Sequence, residues 1–197
     1  MKALEYWSRV RVNMCLNSLS ISSDTIENLL ITKRKELEES TSLTDEQASQ
    51  LTRDEQGKLY NRYIDEDIDL YSISNVLRSS LFVSCYSLLE HELLNLCELL
   101  QGLHEYSIKL DDLRGRGILK AQAYLKKVVG ITFPDQTPSW KDIVAYNHIR
   151  NLIVHNDGVL DNNDNSEKAE SFIKGKTSVT LKPIGKYKRI QFSKDFC

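Results

Sequence analysis

Proline and glycine are scarce in this chain. Its 197 residues include only 3 Pro and 8 Gly, against an average usage of about 5% and 7%. That leaves few of the breaks a turn-rich sheet protein needs, and favours long helices. The expected class is all-α. The four cysteines, Cys15, Cys85, Cys97 and Cys197, form no C-x-x-C pair, and Cys85 and Cys97 sit in an apolar helical stretch where small buried thiols are common. A reduced, cytoplasmic protein is the simpler expectation. Long apolar runs are missing too: the longest nearly uncharged stretch, residues 79–89, falls far short of the ~20 residues a bilayer requires. The start MKALEYWSRVR lacks the apolar centre of a signal peptide, so no membrane role is expected. There is also no internal repeat and no low-complexity tract.

With 41% hydrophobic residues, the chain can bury one sizeable core, and residues 1–197 read as a single domain. Net charge is only -2, but it is unevenly distributed. Residues 36–69 carry eleven Asp/Glu against three Lys/Arg, whereas residues 174–194 carry seven Lys/Arg and no acid. A basic segment this dense can follow a phosphate backbone, although a charge run is more often a solvated face.

Along the chain, Leu4, Trp7, Val10 and Met14 anchor a first helix, and Asp24 is placed to cap a second one carrying Ile26, Leu29, Leu30 and Leu37. Residues 40–69 are acidic and poorly periodic. They read as a short exposed helix after Thr44 plus a mobile connection. From 70 to 103 the leucines fall on most sides of one long helix, which belongs in the middle of a bundle. After a turn at Asp111-Asp112, an amphipathic helix spans 117–129 with Gly130 as its stop. A helix over 139–156 follows, with Ser139 and Asp142 as a capping box and Asn156 to Gly158 as its end. The basic tail, 174–197, alternates weakly about Pro183-Ile184-Gly185, which predicts a small hairpin. The expected fold is an antiparallel helical bundle with long central helices and a small C-terminal β-hairpin.

Motifs for common chemistries are absent. There is no P-loop, no G-x-G-x-x-G and no G-x-S-x-G, and "HELLNLC" lacks the second histidine of a zinc-protease motif. Gly115 and Gly117 in "RGRG" are too few to cradle a phosphate. His91 and His104 read as helix-surface or partly buried residues. His148 reads as solvated, although it is placed where it could assist His155. No cofactor and no metal ligand set is expected.

What stands out is "IRNLIVHNDG" at 149–158. At about 100° per residue from Trp140, Asn147, Asn151 and His155 fall at about 340°, 20° and 60°, forming one polar stripe. Arg150 falls at about 280°, on the side expected to be buried. A guanidinium cannot discharge on burial, so it needs an acid or an anionic ligand. Glu90 and Glu92 are available on the long apolar helix, and Glu90, flanked by leucines in "SLLEHEL", is the better placed. Taken singly, each residue has a bland explanation: a histidine at a helix C-terminus, a snorkelling arginine, surface asparagines. Taken together they supply an anion holder, an amide, and an imidazole that can give or take a proton.

"RNLIVH" resembles the signature of HEPN domains (higher eukaryotes and prokaryotes nucleotide-binding): an arginine, four to six residues, then a histidine, often with asparagine after the arginine. Arg150, Asn151 and His155 match it at the four-residue spacing. "LRSSLFVSCYSLLEHELLNL" resembles the family's earlier core helix, with Glu90 at its acidic position. The similarity covers about a third of the chain, at 72–103 and 139–158. Asp157 stands where one branch of the family carries a regulatory tyrosine, so that control is not implied. The final bundle helix of many members is missing here or is supplied from elsewhere.

The resemblance implies a metal-independent endoribonuclease with Arg150, Asn151 and His155 as catalytic residues, supported by Glu90 and Asn147. It also implies RNA as substrate, a homodimer with two motif helices across a cleft, a toxin or antiviral-defence role, and an antitoxin or regulatory partner. The alternative is a non-catalytic HEPN-like dimerisation or nucleic-acid-binding module.

Overall fold

Two long helices form the frame. The computed structural model describes residues 2–161 and 164–196, apart from the side chains of residues 2–8, 45 and 48, so the expected Leu4 and Trp7 anchors and Cys197 lie outside the described residues. Helix α1 (Lys2–Thr41) and helix α3 (Arg53–Leu103) run 40 and 51 residues. At a rise of about 1.5 Å per residue they are about 60 and 76 Å long. They pair antiparallel: Arg11 meets Glu92, Glu27 meets Arg78, and Arg34 meets Asp67. The short α2 (Asp45–Gln50) lies between them, after Thr44 as expected.

Two expectations fail in this frame. No break occurs at Asp24, because the Ser22 and Thr25 hydroxyls donate back to the Ser18 and Ile21 carbonyls within one helix rather than starting another. Nor are residues 53–69 a mobile connection. Thr52 caps α3: its hydroxyl accepts from the Glu55 N–H, and the Glu55 carboxylate accepts from the Thr52 N–H, a reciprocal box. Periodicity is weak in this half, where α1 packs on it and a narrow apolar seam is enough.

The second half of α3 is the centre of the molecule, in contact with α1, α4 (Gly117–Tyr124), α5 (Pro138–Asn156) and β3 (Tyr187–Phe192). A 3-10 turn at Leu110–Asp112 and a π segment at Leu125–Val129 bracket α4, and Gly130 ends the run in the left-handed region at φ 78. Two elements were not anticipated: strand β1 (Val159–Leu160) and helix α6 (Asp164–Ile173). With β2 (Val179–Ile184) and β3, β1 completes a three-stranded antiparallel sheet in the order β1-β3-β2. Pro183 sits in β2, an edge strand where a missing N–H is tolerated. The main core joins Phe82 of α3, Ile149 and Leu152 of α5, Ala169 and Ile173 of α6, and Val179, Ile190 and Phe192 of the sheet. Among the described residues, no helix is long and apolar enough to cross a membrane.

The Glu27–Arg78 pair links the frame to this core. Arg78 donates to both Glu27 oxygens at 2.7 Å and to the Phe192 carbonyl at 3.4 Å. Both side chains are largely covered, with 16% and 20% exposed, and hydrogen bonds to charged groups contribute about 1.5–3 kcal/mol. Glu27→Gln is therefore expected to lower stability by about 2 kcal/mol in urea denaturation; a change under about 0.5 kcal/mol would mean that the pair is solvated.

Candidate functional site

Helix α5 starts at Pro138 rather than at the expected Ser139. Thr137, not Ser139, is the cap: its hydroxyl accepts from the Trp140 N–H at 3.2 Å, and Pro138 takes the first helical position, where no N–H is needed. The far end is held more firmly. Asp157 and Gly158 turn into the left-handed region at φ 51 and 69, and the Asn156 amide donates to the Val159 carbonyl at 2.6 Å. Arg189 of β3 ties down the Asp157 carboxylate at 2.7 Å. The last turn of α5, with His155 on it, is thus built into the sheet.

Trp140, Ile149 and Leu152 are buried, Arg150, Asn147 and Asn151 half-buried, and Val154 and His155 exposed. Arg150 and Asn151 come together, the guanidinium Nη1 donating to Asn151 Oδ1 at 3.1 Å. Arg150 also turns towards Glu90 of α3, as expected, but Nη2 stays 4.0 Å from Glu90 Oε2, too far for a hydrogen bond. Its Nε is buried without a partner. Of five guanidinium N–H donors, one is therefore used. His155, one turn past Asn151 and about 6 Å further along the axis, forms no hydrogen bond or ion pair among the described residues.

Two further residues shape this site. Tyr86, 5% exposed, lies one turn before Glu90 with its hydroxyl unpartnered. Burial pushes its pKa up, the Glu90 charge pushes it further, and Arg150 opposes them. Gly117, the first residue of α4, lays its backbone on Glu90: a Cβ there would lie 2.9 Å from Oε1, at φ 58. Position four residues before Glu90 was a sufficient signal for Tyr86. For Gly117 the only signal was a glycine opening a helix. Gly117→Ala is expected to cost about 1–2 kcal/mol from the left-handed backbone alone and to displace the Glu90 carboxylate. Guanidinium denaturation reads the first effect, and an unchanged midpoint would contradict it.

The other histidines fall outside the cluster. His148 is not solvated as expected: it is half-buried, with Nδ1 2.8 Å from Asn165 Oδ1, and so links α5 to α6. His91 bonds Asn95 on its own helix, and His104 lies beside the Tyr106 ring. Among the described residues, no three His, Cys, Asp or Glu side chains are grouped to hold a metal ion. The basic tail is largely internal stitching. Lys174 and Lys188 pair with Glu170, Lys176 with Asp142, and Arg189 with Asp157. That leaves Lys182, Lys186 and Lys194 without an acidic partner among the described residues.

No family model, curated protein or solved structure matches the chain.

Proposed function

We propose that this chain is a metal-independent endoribonuclease of the HEPN type, acting as a homodimer. One observation carries the reading: a half-buried arginine with a single hydrogen bond, its carboxylate held at 4.0 Å, and an unencumbered histidine further along the same helix. A guanidinium in that position is short of acceptors, and a phosphodiester supplies them in the paired geometry that arginine matches.

RNA carries its own nucleophile. One His155 takes the proton of the 2′-OH as that oxygen attacks the adjacent phosphorus. The bond from phosphorus to the 5′-oxygen breaks, and a protonated His155 of the second copy gives its proton to the departing oxygen. The products are a 2′,3′-cyclic phosphate and a 5′-hydroxyl. Arg150 opposes the charge that grows on the phosphorane, and Asn151 orients Arg150 through its Oδ1. The exposed face of α5 bearing Val154 and His155, with Val154 48% exposed, is where a second motif helix would lie. A growth-arresting or antiviral role, with an antitoxin or other regulatory partner restraining the enzyme, is part of this proposal.

Incubation of the purified chain with end-labelled RNA in EDTA tests it. Fragments ending in 2′,3′-cyclic phosphate are the expected result. Intact RNA, or a protein that stays monomeric at assay concentration, would refute the mechanism.

A further inference from the structure

The loop that lays Gly117 on Glu90 also carries Arg114 and Arg116. Both are exposed, and neither guanidinium has an acidic partner or a hydrogen bond among the described residues. This contrasts with the basic tail, where four of seven cations are tied to acids. The nearby acids are already engaged: Asp111 pairs with Lys120 at 3.2 Å, and Asp112 accepts from the Lys109 N–H at 2.8 Å.

The loop is a defined structure rather than a loose connection. Its upstream end is the 3-10 turn Leu110–Asp112, closed by the Leu113 N–H on the Leu110 carbonyl at 3.2 Å. Its downstream end enters α4, where the Lys120 N–H reaches the Arg116 carbonyl at 3.4 Å. Between them, Gly115 and Gly117 take φ 106 and 58, conformations that side-chain-bearing residues rarely adopt. Since Gly117 rests on Glu90 and Glu90 faces Arg150, Arg116 is one residue from the carboxylate that neighbours the candidate catalytic arginine. Both arginines thus belong to the loop that packs on Glu90, and no acid neutralises either charge among the described residues.

We infer that Arg114 and Arg116 hold the RNA backbone at the phosphates next to the one bound by Arg150, so that the strand runs from the loop before α4 across to His155. This rests on the ribonuclease reading and names how its substrate is held. Arginine suits the task because its fork matches phosphate oxygens and its charge survives desolvation. The contacts are to the backbone and carry no base preference.

The test uses the full chain bearing His155→Ala, so that RNA is bound and not cut, with a fluorescent single-stranded RNA followed by anisotropy over a series of salt concentrations. Adding Arg114→Ala and Arg116→Ala is expected to weaken binding and to flatten the slope of log K against log salt by about 1.4, or about 0.7 per lost contact on a single strand. A fourfold rise in salt would then weaken the variant about sevenfold less than its parent. The matching lysine variants should keep most of the parent slope, which separates lost charge from a damaged loop. Equal slopes for parent and alanine variant overturn this inference and leave the ribonuclease reading standing. A His155→Ala parent that binds no RNA overturns both.

Discussion

His155→Ala is expected to slow RNA cleavage by two to four orders of magnitude, the usual contribution of a positioned acid or base, with no change in melting temperature. The stability half of this expectation follows from the geometry. His155 is exposed and makes no hydrogen bond or ion pair among the described residues, so its truncation breaks no polar contact and opens no buried cavity. Arg150→Ala should differ. It removes the candidate phosphate holder and also leaves the Glu90 carboxylate, 26% exposed, without its nearest cation, so activity and stability fall together. Cleavage rates in EDTA beside thermal melts of both variants separate the two roles. If His155→Ala kept full activity, the histidine would be no more than a helix-end residue.

Phe192→Ala is expected to have the largest effect on stability, about 3–5 kcal/mol. Phe192 is fully buried, with its ring centroid 5.1 Å from Phe82 of α3 and 4.4 Å from Phe196. The cavity would open between the sheet and α3, beside Ile149 and Leu152 of the motif helix. Such a cavity closes poorly, because its walls come from separate elements, each already packed on others. The motif helix should loosen with it, so RNA cleavage should drop at temperatures where the parent is still folded. A loss below about 1 kcal/mol would show that this core collapses readily around the gap.

The candidate site was legible to the extent that it is local. Arg150, Asn151 and His155 lie within two turns of one helix, so the 3.6-residue period alone assigns Arg150 to the covered side and His155 to the open one; His155 is exposed, while Arg150 is half-buried, as are Asn147 and Asn151 of the polar stripe. Glu90 was legible at one remove, as an acid among leucines on a helix that had to be central. The 4.0 Å gap, the unpartnered Nε and the backbone of Gly117 on the carboxylate were not legible, since each depends on how α3, α4 and α5 meet. His148 was misjudged for the same reason. It was expected to be solvated, but α6 covers it with Asn165, and a ten-residue helix with few apolar positions left little trace in the sequence.

The helical ends and stops were written locally: Thr52 with Glu55, Gly130, and the Asp157-Gly158 turn need only their near neighbours. Gly130 and the Asn156 to Gly158 stop were read from residue chemistry alone, whereas the Thr52–Glu55 box, equally local, was passed over in favour of a mobile connection. The unbroken 40-residue α1 and the helical 53–69 segment were settled instead by the partnership of two helices, because each long helix supplies the other with an apolar seam. The two-residue strand β1 likewise exists only because β3 is there to pair with it. Capping and turn propensity act over three or four residues and can be read from the chain. Burial of a weak seam, or pairing of a short edge, gains its free energy from a partner distant in sequence and appears only once the chain is folded.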